Sequence, residues 1–351
     1  YTDIDKPSDY FNTKLYTGTG SSHAITGVGF APNWVWLKRR DTTGNPYVFD
    51  SVRGATQRMI TNDPVADAAD SNTLTAFGSD GFTVNTEADL NASSGTFVSW
   101  NWKAGTSFTN DASSTGIGTI DSTGSVNTDA GFSIISYTGN GSAGATVAHG
   151  LGVAPKMIIV KRRNSSANWF VGHNSLGWTK YLYLDLTEAE SANSGAWNNT
   201  APTSSVFSLG TFGNVNASSS TYIAYCFAEK QGYSKFGSYV GNGSTDGTFV
   251  YTGFSPAFVM VKRTNGANSW NIKDNRRNNA STSFNINPRN ATLLPNDSAA
   301  DQDANALDFL SNGFKNRSTG NDANNASGTY IYMAFAENPL VASNFVPTTA
   351  R

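Results

Sequence analysis

The fold is decided by Thr221-Tyr222-Ile223-Ala224-Tyr225-Cys226-Phe227-Ala228-Glu229, a stretch of aromatic, β-branched and small residues. The chain holds two relatives of this stretch, Thr96-Phe97-Val98-Ser99-Trp100-Asn101-Trp102 and Thr329-Tyr330-Ile331-Tyr332-Met333-Ala334-Phe335-Ala336-Glu337. Aromatic and β-branched residues fit the pleated, half-buried surface of a sheet. Each copy therefore predicts a β-strand, and the three copies indicate an internal repeat, which has to be recognised before any other feature is interpreted.

The same ordered signals precede each of these closing stretches. Each unit opens on a turn with glycines two and four residues after a tyrosine, at residues 16–21, 137–142 and 239–244. A proline follows, then a short apolar run, a lysine that begins a basic corner, and an aromatic eight or nine residues later. The apolar run is typical of a buried strand, and Asn-Gly is typical of a tight hairpin turn. The prolines are Pro32, Pro155 and Pro256, the lysines Lys38, Lys161 and Lys262, and the aromatics Tyr47, Trp169 and Trp270.

The repeat predicts an all-β protein of three tandem related β-sandwich-like modules with short strands, long loops and little helix. The first module covers residues 1–105 with an N-terminal arm, the second covers 130–235, and the third covers 236–351 with an extended C-terminal tail. Residues 106–129 are almost wholly Gly, Ser, Thr, Asn and Asp, which predicts a linker. One helical turn is expected over 301–310, and the second and third modules are expected to pack as one rigid body.

Composition excludes several classes of protein. Of 351 residues 14% are charged, the net charge is -2, and there are one cysteine and three histidines. A disulfide scaffold is excluded, a Cys/His zinc site is nearly excluded, and broad electrostatic binding of nucleic acid is disfavoured. The 12% of aromatic residues argues against disorder.

No apolar run approaches the roughly 18 residues that span a bilayer, so no membrane insertion is expected. No signal peptide is visible, and since the chain begins at Tyr1 we expect that residues before it were removed or are not shown.

Two motifs resemble ligand-binding loops but lack the context that such loops need. Residues 139–144 match the glycine pattern of a dinucleotide loop, yet 145–150 predict a strand where the motif requires a helix. Residues 301–305 resemble the start of a calcium loop, yet Ala306 and Asn312 stand where glycine and glutamate are needed. A hairpin and a surface turn are the better interpretations.

No catalytic constellation is visible. His23, His149 and His173 have no carboxylate beside them in sequence and do not recur between units. Cys226 alternates with aromatics inside a predicted strand, which favours a core position over a nucleophile. Paired carboxylates for glycoside hydrolysis stay open, although the acidic residues lie mainly in turns. We expect no catalytic residue, no metal site and no cofactor, and hence no enzyme.

Two features permit both a binding and a structural interpretation. The basic corners could bind phosphates or acidic glycans, but their recurrence at one register favours a structural role, in which they end a buried strand and return the chain to water. Their arginines would also pair well with carboxylates of a neighbouring chain. Tryptophans in loop-like segments could stack on sugars or meet a protein partner, or they could fill the sandwich cores. The residues chosen as candidate surface-binding positions are Trp169, His173, Trp178 and Trp270.

Several segments resemble a domain family of unknown function that is found widely in virion proteins of marine tailed bacteriophages. The resemblance covers nearly the whole chain, is specific to the family and carries no catalytic residues. It implies a structural or tail-fibre-like protein. The segments that carry it are residues 6–13, 16–18, 25–32, 50–56, 234–239 and 309–315.

The resemblance leads to one principal functional hypothesis and two alternatives. We expect a non-enzymatic virion structural protein, made in the host cytoplasm, that forms part of a tail fibre or similar appendage contacting the host surface. The alternatives are a capsid decoration or head-fibre protein and a polysaccharide-degrading appendage enzyme. Expected partners are other virion proteins, further copies of the chain as a homotrimer, and a host-surface glycan. The three units could instead form a pseudo-threefold body within one chain.

Overall fold

The computed structural model of this chain describes residues 2–277, 287–344 and 346–347, and it confirms an all-β fold. The first part of the chain forms nine strands and one short helix. These are β1 Phe11–Thr17, β2 His23–Thr26, β3 Trp34–Arg39, β4 Tyr47–Asp50, β5 Gln57–Ile60, β6 Ala68–Ala69, β7 Leu74–Gly78, β8 Gly81–Val84, α1 Ala88–Asn91 and β9 Thr96–Trp102.

The middle part adds ten strands and three four-residue helices. They are β10 Thr106–Asn110, α2 Ala112–Thr115, β11 Ser122–Asn127, β12 Phe132–Thr138, β13 Ala145–Ala148, β14 Met157–Arg162, β15 Phe170–His173, β16 Lys180–Tyr183, β17 Ser191–Ala192, α3 Ser194–Trp197, β18 Val206–Leu209, α4 Gly213–Asn216 and β19 Thr221–Phe227. Two single-turn 3₁₀ helices lie at Pro7–Asp9 and Asn174–Leu176.

The last part of the chain contributes eight strands in its described residues. They are β20 Ser234–Val240, β21 Phe249–Tyr251, β22 Phe254–Arg263, β23 Asn271–Asp274, β24 Arg289–Thr292, β25 Gln302–Leu310, β26 Gly313–Asn316 and β27 Thr329–Pro339.

Three large antiparallel sheets repeat one strand order. In each sheet the closing strand lies between the first strand of its unit and the apolar strand: β1-β9-β3-β4, β12-β19-β14-β15 and β20-β27-β22-β23. The register is also the same, because the fifth residue of each closing strand pairs with equivalent partners. Trp100 pairs with Thr13 and Trp36, Tyr225 with Ile134 and Ile159, and Met333 with Phe236 and Met260.

A smaller sheet accompanies each large one. The small sheets have the orders β2-β8-β7, β13-β18 and β21-β26-β25-β24. A separate apolar cluster joins residues of each small sheet with the large sheet of its unit, for example Ile25 with Val35, Val147 with Ile158 and Val250 with Val259. This two-layer packing is that of a β-sandwich.

The opposite faces of the three large sheets meet in one shared core. This cluster contains residues of all three units. Trp34 joins the first unit to the second, with its ring centroid 4.5 Å from that of Trp102 and 4.8 Å from that of Tyr225. Phe11 stacks on Phe335 at 5.3 Å, which connects the first sheet to the third. A shared aromatic core therefore joins the three sheets into one body.

Two local predictions were wrong. The expected linker over 106–129 instead forms β10 and β11, which extend the second large sheet beyond β12. Its threonines are β-branched, and its sparse apolar residues Ile120 and Val126 are buried in the outer core of the second unit. The helical turn expected over 301–310 is replaced by strand β25, which pairs with β24 and β26.

Candidate functional site

The four residues predicted to bind a ligand at the surface are buried. Trp169 and Trp270 are each 1% exposed, Trp178 is 7% exposed and His173 is 0% exposed, so the predicted surface positions were wrong. The indole of Trp169 donates to the carbonyl oxygen of Ile60 at 3.0 Å, and that of Trp270 donates to Tyr183 at 2.8 Å. These tryptophans therefore connect one unit to the preceding one.

We use the word joint for the contact that each unit makes with the next at the ends of β4, β15 and β23. These strands end on Asp50, His173 and Asp274. All three side chains are buried, and each accepts a backbone N–H two residues further on. The repeat thus places three different side chains at one structural position.

Two of the joints contain a buried ion pair. Asp50 accepts hydrogen bonds from Arg53 at 2.6 Å and, across the joint, from the Tyr225 hydroxyl at 2.7 Å. Asp274 likewise accepts from Arg277 at 2.6 Å and from the Trp100 indole at 3.0 Å. Burial alone would raise the pKa of Asp274, but the adjacent Arg277 guanidinium outweighs it and holds that pKa below its ordinary value.

The third joint is uncharged. His173 Nδ1 accepts the Ser175 N–H at 3.1 Å, and Nε2 lies 3.2 Å from the Tyr332 carbonyl oxygen, to which it donates. Both ring nitrogens are thus satisfied by the neutral imidazole. Burial lowers the pKa of His173 to about 4. The position across the joint is Met333, which has no polar group to offer.

The basic corners also hold neighbouring units together. The ammonium groups of Lys38, Lys161 and Lys262 are buried and donate to loop carbonyls. Lys161 donates to Pro64 of the first unit at 2.6 Å, and Lys262 donates to Thr187 of the second at 2.9 Å. Burial lowers the pKa of each lysine to about 8. The expected strand end that returns to water was therefore wrong for the lysines.

Two of the corner arginines pair with carboxylates of another unit of the same chain. Arg163 of the second unit contacts Asp67 of the first at 2.8 Å. Arg40 of the first unit contacts Asp301 of the third at 2.8 Å, and Asp301 also forms a salt bridge with Arg277. The contacts therefore run from unit one to two and from three back to one. Together with the Lys262 contact they close a ring.

Three asparagines that the sequence analysis did not single out hold the opening turns. Asn216 accepts the backbone N–H of Asn140 at 3.0 Å and donates to the carbonyls of Ser142 and Gly210. Asn91 and Asn324 do the same in the other units. A recurring signal was available, because Asn91-Ala92-Ser93-Ser94-Gly95-Thr96, Asn216-Ala217-Ser218-Ser219-Ser220-Thr221 and Asn324-Asn325-Ala326-Ser327-Gly328-Thr329 share one pattern.

The turns that resembled ligand loops have structural roles. Residues 145–148 form strand β13 after the Asn140-Gly141 turn, where a dinucleotide loop would need a helix. Gly141 adopts a φ of 75°, a left-handed conformation that glycine tolerates best. Asp301 is held by Arg40 and Arg277. Within the described ranges, no group of three or more His, Cys, Asp or Glu side chains is placed to hold a metal ion.

Three exposed apolar side chains lie on the third unit. Val240 and Tyr251 are each 57% exposed and Phe249 is 44% exposed. Tyr251 lines a cavity of about 360 Å³, which we call the Tyr251 cavity. The cavity is lined by Glu229, Gln231, Gly232, Ser234, Lys235, Tyr251, Thr252, Gly253, Leu340 and Val341.

Cys226 is fully buried in β19, as the sequence predicted. Burial raises the pKa of its thiol to about 12, which removes the thiolate that a nucleophile needs. Among the described residues, no helix combines the length and apolar character needed to cross a membrane.

Comparison with protein families places residues 6–339 in a family described as a domain of unknown function (DUF7483), and the chain belongs to that family. No curated protein matches the chain. No solved structure matches it either.

Proposed function

We propose that this chain is a non-enzymatic structural protein of a bacteriophage virion, displayed in a tail fibre or similar appendage that contacts the host surface. The observation that supports it best is the closed ring of joints. Asp301 of the last unit pairs with Arg40 of the first at 2.8 Å, so the last unit of the repeat contacts the first. A ring closed in this way restrains every unit on two sides and suits a rigid display scaffold.

The use of the polar side chains supports the same proposal. The carboxylates at Asp50 and Asp274 and the three corner lysines are occupied by joints and loop carbonyls. What reaches the surface is mainly turns rich in Gly, Ser, Thr and Asn. Loops on a stable scaffold commonly carry recognition. Partners on this view are other virion proteins and a host-surface glycan.

The ring also bears on symmetry. Three related sheets around one core give a single chain a threefold arrangement of turns. Such a chain could occupy the end of a threefold appendage as one copy. A homotrimer stays a prediction, and sedimentation of the purified chain at several concentrations separates one copy from three.

Electron microscopy of intact particles with a labelled antibody against this chain tests the proposal. We expect the label on the tail appendages. Label confined to capsids would favour a head-fibre or capsid decoration protein instead, and particles without label would contradict a virion role.

Two assays on the recombinant chain test the remaining parts. Binding of the chain to host cells is expected, and its absence in every oligomeric form would contradict attachment. Incubation with host polysaccharide is expected to release no oligosaccharide. Release would favour the alternative of a polysaccharide-degrading appendage enzyme.

A further inference from the structure

The Tyr251 cavity lies where the second unit meets the third, and the aromatic ring beside it has no counterpart in the other units. Strand β21 occupies the place of β2 and β13, since the buried residues Val250, Ile25 and Val147 each pair with a phenylalanine of the adjoining strand. The next residue in each strand is Tyr251, Thr26 or Ala148. The positions equivalent to Tyr251 in the first and second units therefore carry no aromatic ring.

The tyrosine ring is held beside the cavity. Its Oη, Cε1 and Cζ atoms lie 3.7–3.9 Å from the position that a Cβ on Gly253 would take. Gly253 has a φ of 84° and no side chain, which leaves room for the ring to lie across the backbone. At 57% exposure, much of the ring still faces water. The ring is thus both positioned and accessible.

The rest of the cavity wall is polar. Lys235 contacts Glu229 at 2.6 Å, and both side chains are partly exposed. The exposed Gln231 and the turn residue Gly232 also line the cavity. The cavity therefore offers carboxylate, ammonium and amide groups next to one aromatic ring, while its ion pair leaves little net charge.

We propose that the Tyr251 cavity binds one uncharged saccharide residue, stacked on Tyr251 and hydrogen-bonded by Glu229, Gln231 and Lys235. This rests on the proposed attachment function and specifies the glycan-binding site. A pyranose ring has an apolar face of C–H groups that packs on an aromatic ring and a rim of hydroxyls that need donors and acceptors. A volume of about 360 Å³ lies within the range of small-molecule sites and accommodates one such ring.

The polar wall argues against an apolar protein partner as the occupant. The cores of protein interfaces are depleted of charged residues. A protein segment would leave the Glu229–Lys235 pair desolvated, whereas sugar hydroxyls can replace the water around it.

Saturation-transfer difference NMR with the full chain tests the proposal. The probes are free glucose, galactose, mannose, N-acetylglucosamine and N-acetylgalactosamine, each at millimolar concentration. At least one sugar is expected to receive saturation from the wild-type protein. Tyr251→Ala is expected to weaken binding at least about tenfold, equivalent to about 1.4 kcal/mol. Tyr251→Phe keeps the ring and is expected to bind nearly as well.

Thr26→Ala, at the equivalent exposed position of the first unit, is the matched control and should leave the signal unchanged. Tyr251 is largely exposed, and far-ultraviolet circular dichroism checks that its variants remain folded. Absence of transfer to all five sugars overturns the inference, as does undiminished transfer in Tyr251→Ala. Antibody labelling of the virion is a separate readout, so the saccharide site and the virion role can fail independently.

Discussion

Two joints of this protein are charged and the third is not, although the repeat places all three at the same structural position. Asp50 and Asp274 each hold an arginine of their own unit and a donor of the next. His173 instead uses a neutral imidazole and a backbone carbonyl. Divergence at a repeated position shows that the ring needs a satisfied polar contact there and does not need a particular charge.

The two kinds of joint differ in how they fail. A buried ion pair is costly to break, because removal of one partner leaves the other charge desolvated and unpaired. A buried neutral histidine has no charged partner to lose, but its protonation at low pH destabilises the folded state. The charged joints are therefore sensitive to mutation, and the His173 joint is sensitive to pH.

Arg277→Ala is expected to have the largest effect. The variant leaves the Asp274 carboxylate buried beside Trp100 without its guanidinium, which should lower the free energy of unfolding by about 3–5 kcal/mol. Denaturant titration at neutral pH measures it. Arg276→Ala is the matched control, since Arg276 is the exposed neighbour and contacts Asp274 through its backbone N–H. Equal losses in the two variants would contradict the importance of the buried pair.

Acid should weaken the uncharged joint. The pKa of His173 is about 4 in the folded chain, below the ordinary value of 6.5, because the ring is buried. Between these two pH values the unfolded state binds more protons, so the contribution is complete above about pH 6.5 and is lost as pH falls towards 4. The pKa difference corresponds to about 3 kcal/mol.

His149 complicates the measurement because burial also lowers its pKa to about 4. The free energy of unfolding should therefore be measured across this pH range in His173→Gln and in His149→Gln. Each variant is expected to lose part of the pH dependence of the wild type. An unchanged slope in His173→Gln would show that the joint does not sense the proton.

The sequence predicted the repeat, its strands and the buried Cys226, because period, turn chemistry and β-branched residues act locally. It did not predict the joints. Trp169 and Trp270 lie in segments that look like loops, and they are buried because another unit covers them. Burial of that kind depends on how the three sheets meet in the shared core, which no single window of sequence contains. The β10–β11 segment was missed for a related reason, since its few apolar residues are enough only when a neighbouring sheet is present.

Asp185→Asn should stabilise the protein near the joint between the first and second units. Asp185 Oδ1 accepts the Trp169 N–H at 3.0 Å, as Asn296 accepts that of Trp270 in the third unit. Burial raises the pKa of Asp185 to about 6, against an ordinary 3.8. The destabilisation is present above pH 6 and disappears as pH falls towards 4.

At neutral pH the neutral amide should raise the free energy of unfolding by about 3 kcal/mol, since the net pKa shift of Asp185 already contains its attraction to Lys161. Denaturant titrations at pH 7 and at pH 4 measure the change, and the gain should vanish at the lower pH. A gain that is equal at both pH values would mean that the carboxylate is not the cause.

The asparagines of the opening turns extend the comparison to a position at which all three units agree. Asn216→Ala removes one acceptor and two donors from the turn at Asn140 and leaves backbone groups without partners. Loss of buried hydrogen bonds of this kind should cost about 2 kcal/mol. Asn91→Ala and Asn324→Ala should cost the same within about 1 kcal/mol, because the contacts recur.

Thermal unfolding of the three variants is compared with that of Asn164→Ala, since Asn164 is an exposed asparagine outside the opening turns. Three similar losses of thermal stability would mean that the three turns contribute equally to stability. The units would then differ in their joints and surfaces but share one scaffold. A much larger loss of stability from one variant would instead show that the stability of the ring depends mainly on that unit. In that case the asparagine position, although its residue is the same in all three units, would differ in function between units as much as the joint position does.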